Sequence, residues 1–234
     1  MKYPKIQFSY DIEKDVDNVL IGFKIVQNGQ NPDVLLRQII DKFGESPSRE
    51  QITGFIKEIW KDKEDIKVEI IEHLKKHWNK INDIYFERLF RYIKITHQEE
   101  QTIPGFASSR YGSGYSVPEW WFAVSLRNGT MRNTTTAMHE IMHLFFHKYW
   151  WQKCLQIGLT DKQTWDVKEA VTVLINAWCG DLITELDWGY PEHAELRRFI
   201  IKQWWPETKD FGKIIERSCE YMRINENKSP TWNK

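Results

Sequence analysis

Apolar and polar positions fall into three textures along the chain. The opening KIQFSY (5–10) alternates and reads as a strand. Helical punctuation follows. One helix starts after Asp11, and a second opens at NPD with Pro32 in its first turn and stops at Gly44. A third starts after the SPS of 46–48. The charged stretch DKEDIKVEIIEHLKKHWNKINDIYFERLFRYI has apolar residues at Ile66, Val68, Ile70, Ile71, Leu74 and Trp78. That spacing predicts a long amphipathic helix with a break near Asn82-Asp83.

The texture changes at TIPGFASSRYGSGYSVPE (102–119), whose Gly, Ser, Pro and aromatic residues suit strands and their connections. WWFAVSLRNG (120–129) is apolar and β-prone, and it closes on the turn pair Asn128-Gly129. Asn133 and Thr134 to Thr136 offer N-cap side chains to a helix ending near Trp151. Further helices are expected over WDVKEAVTVLINAW (165–178), from Pro191, and after Pro206. The expected fold is α+β, with a helical part over 1–100, either separate or one compact unit with the rest. Residues 101–234 would hold a small mixed sheet and a second helical part.

Composition narrows the setting. Thirty-three basic and thirty-three acidic residues cancel, so no global field draws the chain to nucleic acid or an anionic membrane. No apolar run reaches the roughly 20 residues a bilayer span needs, and the N-terminus lacks a secretory signal pattern. The expected location is the cytoplasm. Three cysteines without short spacing argue against a disulfide framework. The sequons at Asn128, Asn133 and Asn227 are read as accidental.

The candidate chemistry lies in NTTTAMHEIMHLFFHKYW (133–150). His139 and His143 stand four apart, so a helix projects both imidazoles from one face, one turn apart. That suits two ligands of a tetrahedral zinc at about 2.0–2.1 Å each. Glu140 lies beside the metal position, where it can take a proton from a zinc-bound water. This H-E-x-x-H spacing arises by chance in roughly one chain in a hundred of this composition. The uncharged flanks from Thr136 to Phe146 describe a buried helix, in which titratable groups need partners. His73 and His77 share the spacing, but Leu74 replaces the glutamate and two lysines lie between them. They read as a solvated face.

His147 fails as the third ligand on distance. Positions i and i+8 of a straight helix lie about 12 Å apart along the axis. The metzincin pattern breaks its helix with a glycine before a third histidine, and here Phe146 and Tyr149 occupy those two positions. A carboxylate from the next acidic helix is the alternative. Glu169 enters an apolar core and is preferred. Asp166, one turn earlier, is its rival, with a helix N-terminal charge as its plain role. Asn176 could orient a ligand histidine, and the cysteines read as buried inert thiols.

With TAMHEIMHLF (136–145) and a downstream KEA (168–170) opening an apolar helix, the chain resembles the gluzincin metallopeptidases. It is also similar to small uncharacterised bacterial proteins that share the two-helix pattern. The resemblance covers about residues 105–205. It implies a zincin-like fold, with WWFAVSLRNG as the sheet edge strand that pairs with an extended peptide over the H-E-x-x-H helix. It implies zinc held by His139, His143 and Glu169, Glu140 as general base, and a peptide or protein substrate. It further implies a Tyr or His donor to the oxyanion, for which Tyr190 and His193, or Tyr111 and Tyr115, are candidates. One departure is Val173, where better-known gluzincins carry an acidic residue supporting a histidine. The expected function is a zinc-dependent peptidase, and the alternative is a zinc-stabilised, non-catalytic binding or regulatory protein of the same fold. Oligomeric state is not legible in the sequence.

Overall fold

A computed structural model describes residues 2–27, 29–96 and 101–225. The fold is α+β, mostly helical, with one four-stranded mixed sheet. The strands are β1 (Lys5–Tyr10), β2 (Thr102–Ser108), β3 (Gly114–Ser116) and β4 (Trp121–Ser125). The helices are α1 (Ile12–Gln27), α2 (Val34–Phe43), α3 (Arg49–Ile59), α4 (Glu64–Ile93), α5 (Thr130–Tyr149), α6 (Trp151–Ile157), α7 (Asp161–Val171), α8 (Leu174–Trp178), α9 (Ala194–Phe199), α10 (Trp205–Thr208) and α11 (Phe211–Ile224). No helix among the described residues is long and apolar enough to cross a membrane.

Two compact units divide the chain: Lys5–Asn82 with Gln101–Glu140, and Met1–Pro4 with Asp83–Glu100 and Ile141–Lys234. Each combines segments from both sides of residue 100.

The first unit holds the sheet, in the order β1-β2-β4-β3. β1 pairs parallel with β2 and β2 with β4, whereas β3 pairs antiparallel with β4. Parallel neighbours need a crossover, and α1 to α4 all lie within the link from β1 to β2. β4 is buried along its whole length. The expectation that 120–126 forms the sheet edge is therefore wrong, because three residues of β3 cover its outer side. Gly105 of β2 is required by close approach, since a Cβ there would lie 2.8 Å from the Phe122 ring and 2.9 Å from Phe8.

Beside the sheet, α1, α2 and α3 share one cluster through Val16, Val19, Phe23, Leu35, Leu36, Ile39, Ile52 and Ile56. Local punctuation sets these helices. Asp33 caps α2 by accepting from Leu36 N, Gly44 ends it, and Ser48 with Gln51 forms a capping box on α3.

α4 runs unbroken through Asn82 and Asp83, contrary to the expected interruption. Its buried residues Ile71, Leu74, Trp78, Ile81, Tyr85 and Leu89 keep a spacing of three and four across that point. The Asn82 side chain accepts from Trp78 Nε1 at 2.8 Å, one turn earlier, instead of breaking the helix. Ile66 and Val68, grouped with the apolar face in the sequence, are exposed.

α5 starts at Thr130, a turn before the expected caps. Asn133 is inside the helix and buried. Its Nδ2 donates to Ser125 O at 2.8 Å, and Thr134 Oγ1 donates back to Thr130 O at 2.8 Å. These side chains tie the helix to the end of β4 and to its own first turn, the local competition with capping that such residues offer. Asn227 lies outside the described residues.

The second unit is helical. Phe86, Phe90 and Phe145 pack with centroids 5.2–6.2 Å apart, and Trp178 contacts Tyr92, Trp205 and Phe211 at 4.8–5.8 Å. Cys154, Cys179 and Cys219 are buried free thiols. Gly158, at φ 104°, ends α6 in the left-handed region, and the Thr160–Gln163 capping box starts α7 at once.

The helix expected over 165–178 is two, α7 and α8. Thr172 Oγ1 donates to the carbonyl of Glu169 at 2.8 Å, and Arg197 Nη1 donates to it at 3.1 Å. A regular helical ladder would give that carbonyl to Val173 N. Val173 N turns instead to Ala170 O at 3.3 Å, and Ile175 N and Asn176 N also bond three residues back. Bonds of that span belong to the tighter 3₁₀ turn.

Candidate metal centre

His139 and His143 sit one turn apart on α5, and Glu169 sits in the last turn of α7. A nitrogen from each histidine and an oxygen from Glu169 all lie within 4.8 Å of one another. His143 Nε2 and Glu169 Oε2 are 3.3 Å apart, both side chains buried. Two ligands each about 2.0–2.1 Å from a tetrahedral ion are about 3.3–3.4 Å apart, so this pair is spaced as ligands of one ion would be. Two imidazoles and one carboxylate are also a donor set that divalent transition metals take. The residues fit a metal ion.

Asp166, the rival third ligand, is engaged elsewhere. Its Oδ1 lies 3.0 Å from His193 Nε2, and the His193 ring packs edge-on to Trp165 at 5.4 Å. Tyr190 joins this cluster at 6.0 Å from the His193 ring and is exposed. Tyr190 and His193 thus lie together on the Asp166 side of α7, and neither is in the three-residue group. Tyr111 is exposed, with the Arg127 guanidinium over its ring, and Tyr115 lies in β3.

His147 is not in the group either. Its ring stacks on Trp151 with centroids 4.3 Å apart. Burial and then the Lys168 cation push its pKa down to about 4, and the Glu169 charge offsets this only in part. Asn176, offered as an orienter of a ligand histidine, instead exchanges two hydrogen bonds with the backbone of Asp187, at 2.9 and 2.8 Å.

Three residues at the site carry no signal of role in the sequence. The first is Ser113, whose Oγ donates to Glu140 Oε1 at 2.5 Å. The loop that presents it is anchored by Asn18, which donates to Ser108 Oγ and Gly112 O, and by Arg110, which donates to Asn18 O and pairs with Asp33. Behind that loop, buried Asp15 accepts from Ser108 Oγ, Ser109 N, Ser109 Oγ and Tyr10 OH at 2.5–3.2 Å. Burial raises the Asp15 pKa, while the serine donors pull it the other way. The flanking glycines, Gly112 and Gly114, hint at close approach, since a Cβ at Gly114 would lie 2.5 Å from Asn18 Oδ1.

The other two are Lys168 and Arg197. Lys168 Nζ lies 2.6 Å from Glu169 Oε1. Arg197 is buried and donates to Glu169 O, Thr172 Oγ1, Asp187 O and Asp187 Oδ2 at 2.5–3.1 Å. It holds the backbone of Glu169 from behind.

Comparison with family models, curated proteins and solved structures finds no match to this chain.

Proposed function

We propose that the protein is a zinc-dependent peptidase of gluzincin type with a zincin-like fold. The observation that carries this reading is the placement of Glu169 Oε2 3.3 Å from His143 Nε2, beside an H-E-x-x-H helix. His139, His143 and Glu169 would hold the ion. When bound, zinc would polarise a scissile carbonyl and make water more acidic.

Glu140 is the general base. Ser113 Oγ holds one oxygen of its buried carboxylate. That carboxylate would take a proton from the attacking water and return it to the leaving amine. An extended peptide would add to β3, an edge strand, which begins directly after Ser113. Strand addition there brings the peptide alongside Glu140. His193 would serve the developing oxyanion. Asp166 Oδ1 lies 3.0 Å from its Nε2, and Tyr190 stands beside it as a second candidate donor.

The test is hydrolysis of a mixed peptide library by protein loaded with one equivalent of zinc. Cleavage that a chelator stops and zinc restores is expected. Stoichiometric zinc with no cleavage of any peptide would favour the zinc-stabilised binding protein instead.

Ser113→Ala should keep zinc and lower kcat by roughly tenfold, the value of one charge-assisted hydrogen bond, with KM little changed. Ser113→Thr, which keeps the hydroxyl, should recover most of the loss. Steady-state kinetics beside metal analysis checks both variants.

A further inference from the structure

Lys168 is placed where a lysine rarely goes. It is 1% exposed, near the C-terminal end of α7, and its ammonium is directed back at the neighbouring Glu169. Adjacent residues on a helix do not face each other, and a helix lysine ordinarily carries its charge out to water. This one is held inside, with Nζ 2.6 Å from Glu169 Oε1 and 5.3 Å from the centre of the Trp165 ring. Burying an ammonium and a carboxylate costs several kcal/mol each, and their pairing offsets part of it.

The two oxygens of Glu169 therefore face different groups. Oε1 meets Lys168, and Oε2 faces His143 Nε2 at 3.3 Å. A carboxylate set aside for a metal alone would be an uncompensated buried charge whenever the metal is away. Here the fold supplies its own counter-ion.

We propose that Lys168 is the built-in counter-ion of Glu169, a positioning residue that balances and aims the carboxylate in the metal-free protein and restricts metal ligation to Oε2. The inference rests on Glu169 being a metal ligand. It has an unusual consequence for affinity. Lys168 stabilises the metal-free state and repels an arriving dication, so it weakens metal binding and makes the metal exchangeable. A residue that merely shaped the site would have the opposite effect when removed.

The experiment is competition for zinc between the full-length protein and a chelating dye, with thermal melts of the metal-free protein. Lys168→Met should bind zinc roughly tenfold tighter than the parent or more, and should melt lower without metal. Lys168→Arg, which keeps the charge, should stay near the parent in both. Equal or weaker zinc binding by a folded Lys168→Met overturns the proposal.

Should Lys168→Met not fold without metal, Glu169→Gln decides. Losing the carboxylate 2.6 Å from a buried ammonium should lower the metal-free melting temperature. The double variant Lys168→Met/Glu169→Gln should recover part of that loss. A metal-free Glu169→Gln protein as stable as the parent, or more stable, overturns the proposal. Absence of zinc binding by the parent is a separate outcome, which removes the metal-site reading itself.

Discussion

Glu140→Gln is expected to lower peptide hydrolysis by about two to four orders of magnitude and to leave the zinc content unchanged. Glutamine keeps the size of the side chain and can still accept from Ser113 Oγ, so the loop that ends there should stay in place. What is lost is the base. Glu140 is the residue after His139 on α5, rotated off the line of the two histidines. Its removal subtracts no ligand from the group of His139, His143 and Glu169. Loss of rate without loss of metal separates a general base from a ligand. Hydrolysis of a fluorogenic peptide beside elemental analysis of the same sample checks it. A variant that turns over within fivefold of the parent would remove Glu140 from the mechanism.

The largest expected effect on stability is at Arg197. Arg197→Met removes the guanidinium that pairs with Asp187, whose carboxylate is 9% exposed beside it, and leaves a buried charge without that cation. Breaking one side of a buried pair costs about 3–5 kcal/mol, a large share of the roughly 5–15 kcal/mol a domain has. In a chain of this size the fall in melting temperature should be roughly 10 °C. The Glu169 carbonyl also loses a donor, so the end of α7 should loosen, and zinc affinity should fall with stability. Denaturant unfolding and zinc competition on the same variant test both parts. Unchanged stability would mean that Asp187 finds water or another donor.

Much of the helical part is legible in the sequence because local chemistry sets it. Asp33, Gly44 and Ser48 bound their helices as side-chain capping and glycine geometry require. The apolar spacing of α4 gives its buried face from Ile71 onward, but the Asn82-Asp83 pair suggests a break that does not form. Capping chemistry misleads at Asn133 as well, because the same amide that caps a helix can instead hold a helix to a strand.

The sheet is legible only in part. KIQFSY and WWFAVSLRNG do contain strands, yet their order depends on pairings that local pattern does not encode, such as β1 with β2 about a hundred positions later. β3 has three residues, too few for alternation to register. This is why an interior strand is expected at the edge.

At the site, the H-E-x-x-H spacing is a helix property and needs no tertiary information. The choice of Glu169 over Asp166 follows from the apolar residues beyond it, and α7 brings Glu169 to His143 and Asp166 to His193. Ser113, Lys168 and Arg197 give no local signal because their roles exist only in three dimensions. Ser113 is 27 positions from the carboxylate it meets, and Arg197 is 28 from the carbonyl it holds. Lys168 adjoins its partner in sequence, but spacing alone would point the two apart.

On the proposed reading, His139, His143 and Glu169 hold one zinc with a position left open. Anomalous diffraction at the zinc edge from zinc-loaded crystals measures it directly. The expected map has one site per chain, with a nitrogen from each histidine and one Glu169 oxygen at about 2.0–2.2 Å and no fourth protein ligand. Zinc bound elsewhere, a site completed by Asp166, His147 or a cysteine, or crystals that take up no zinc would contradict it.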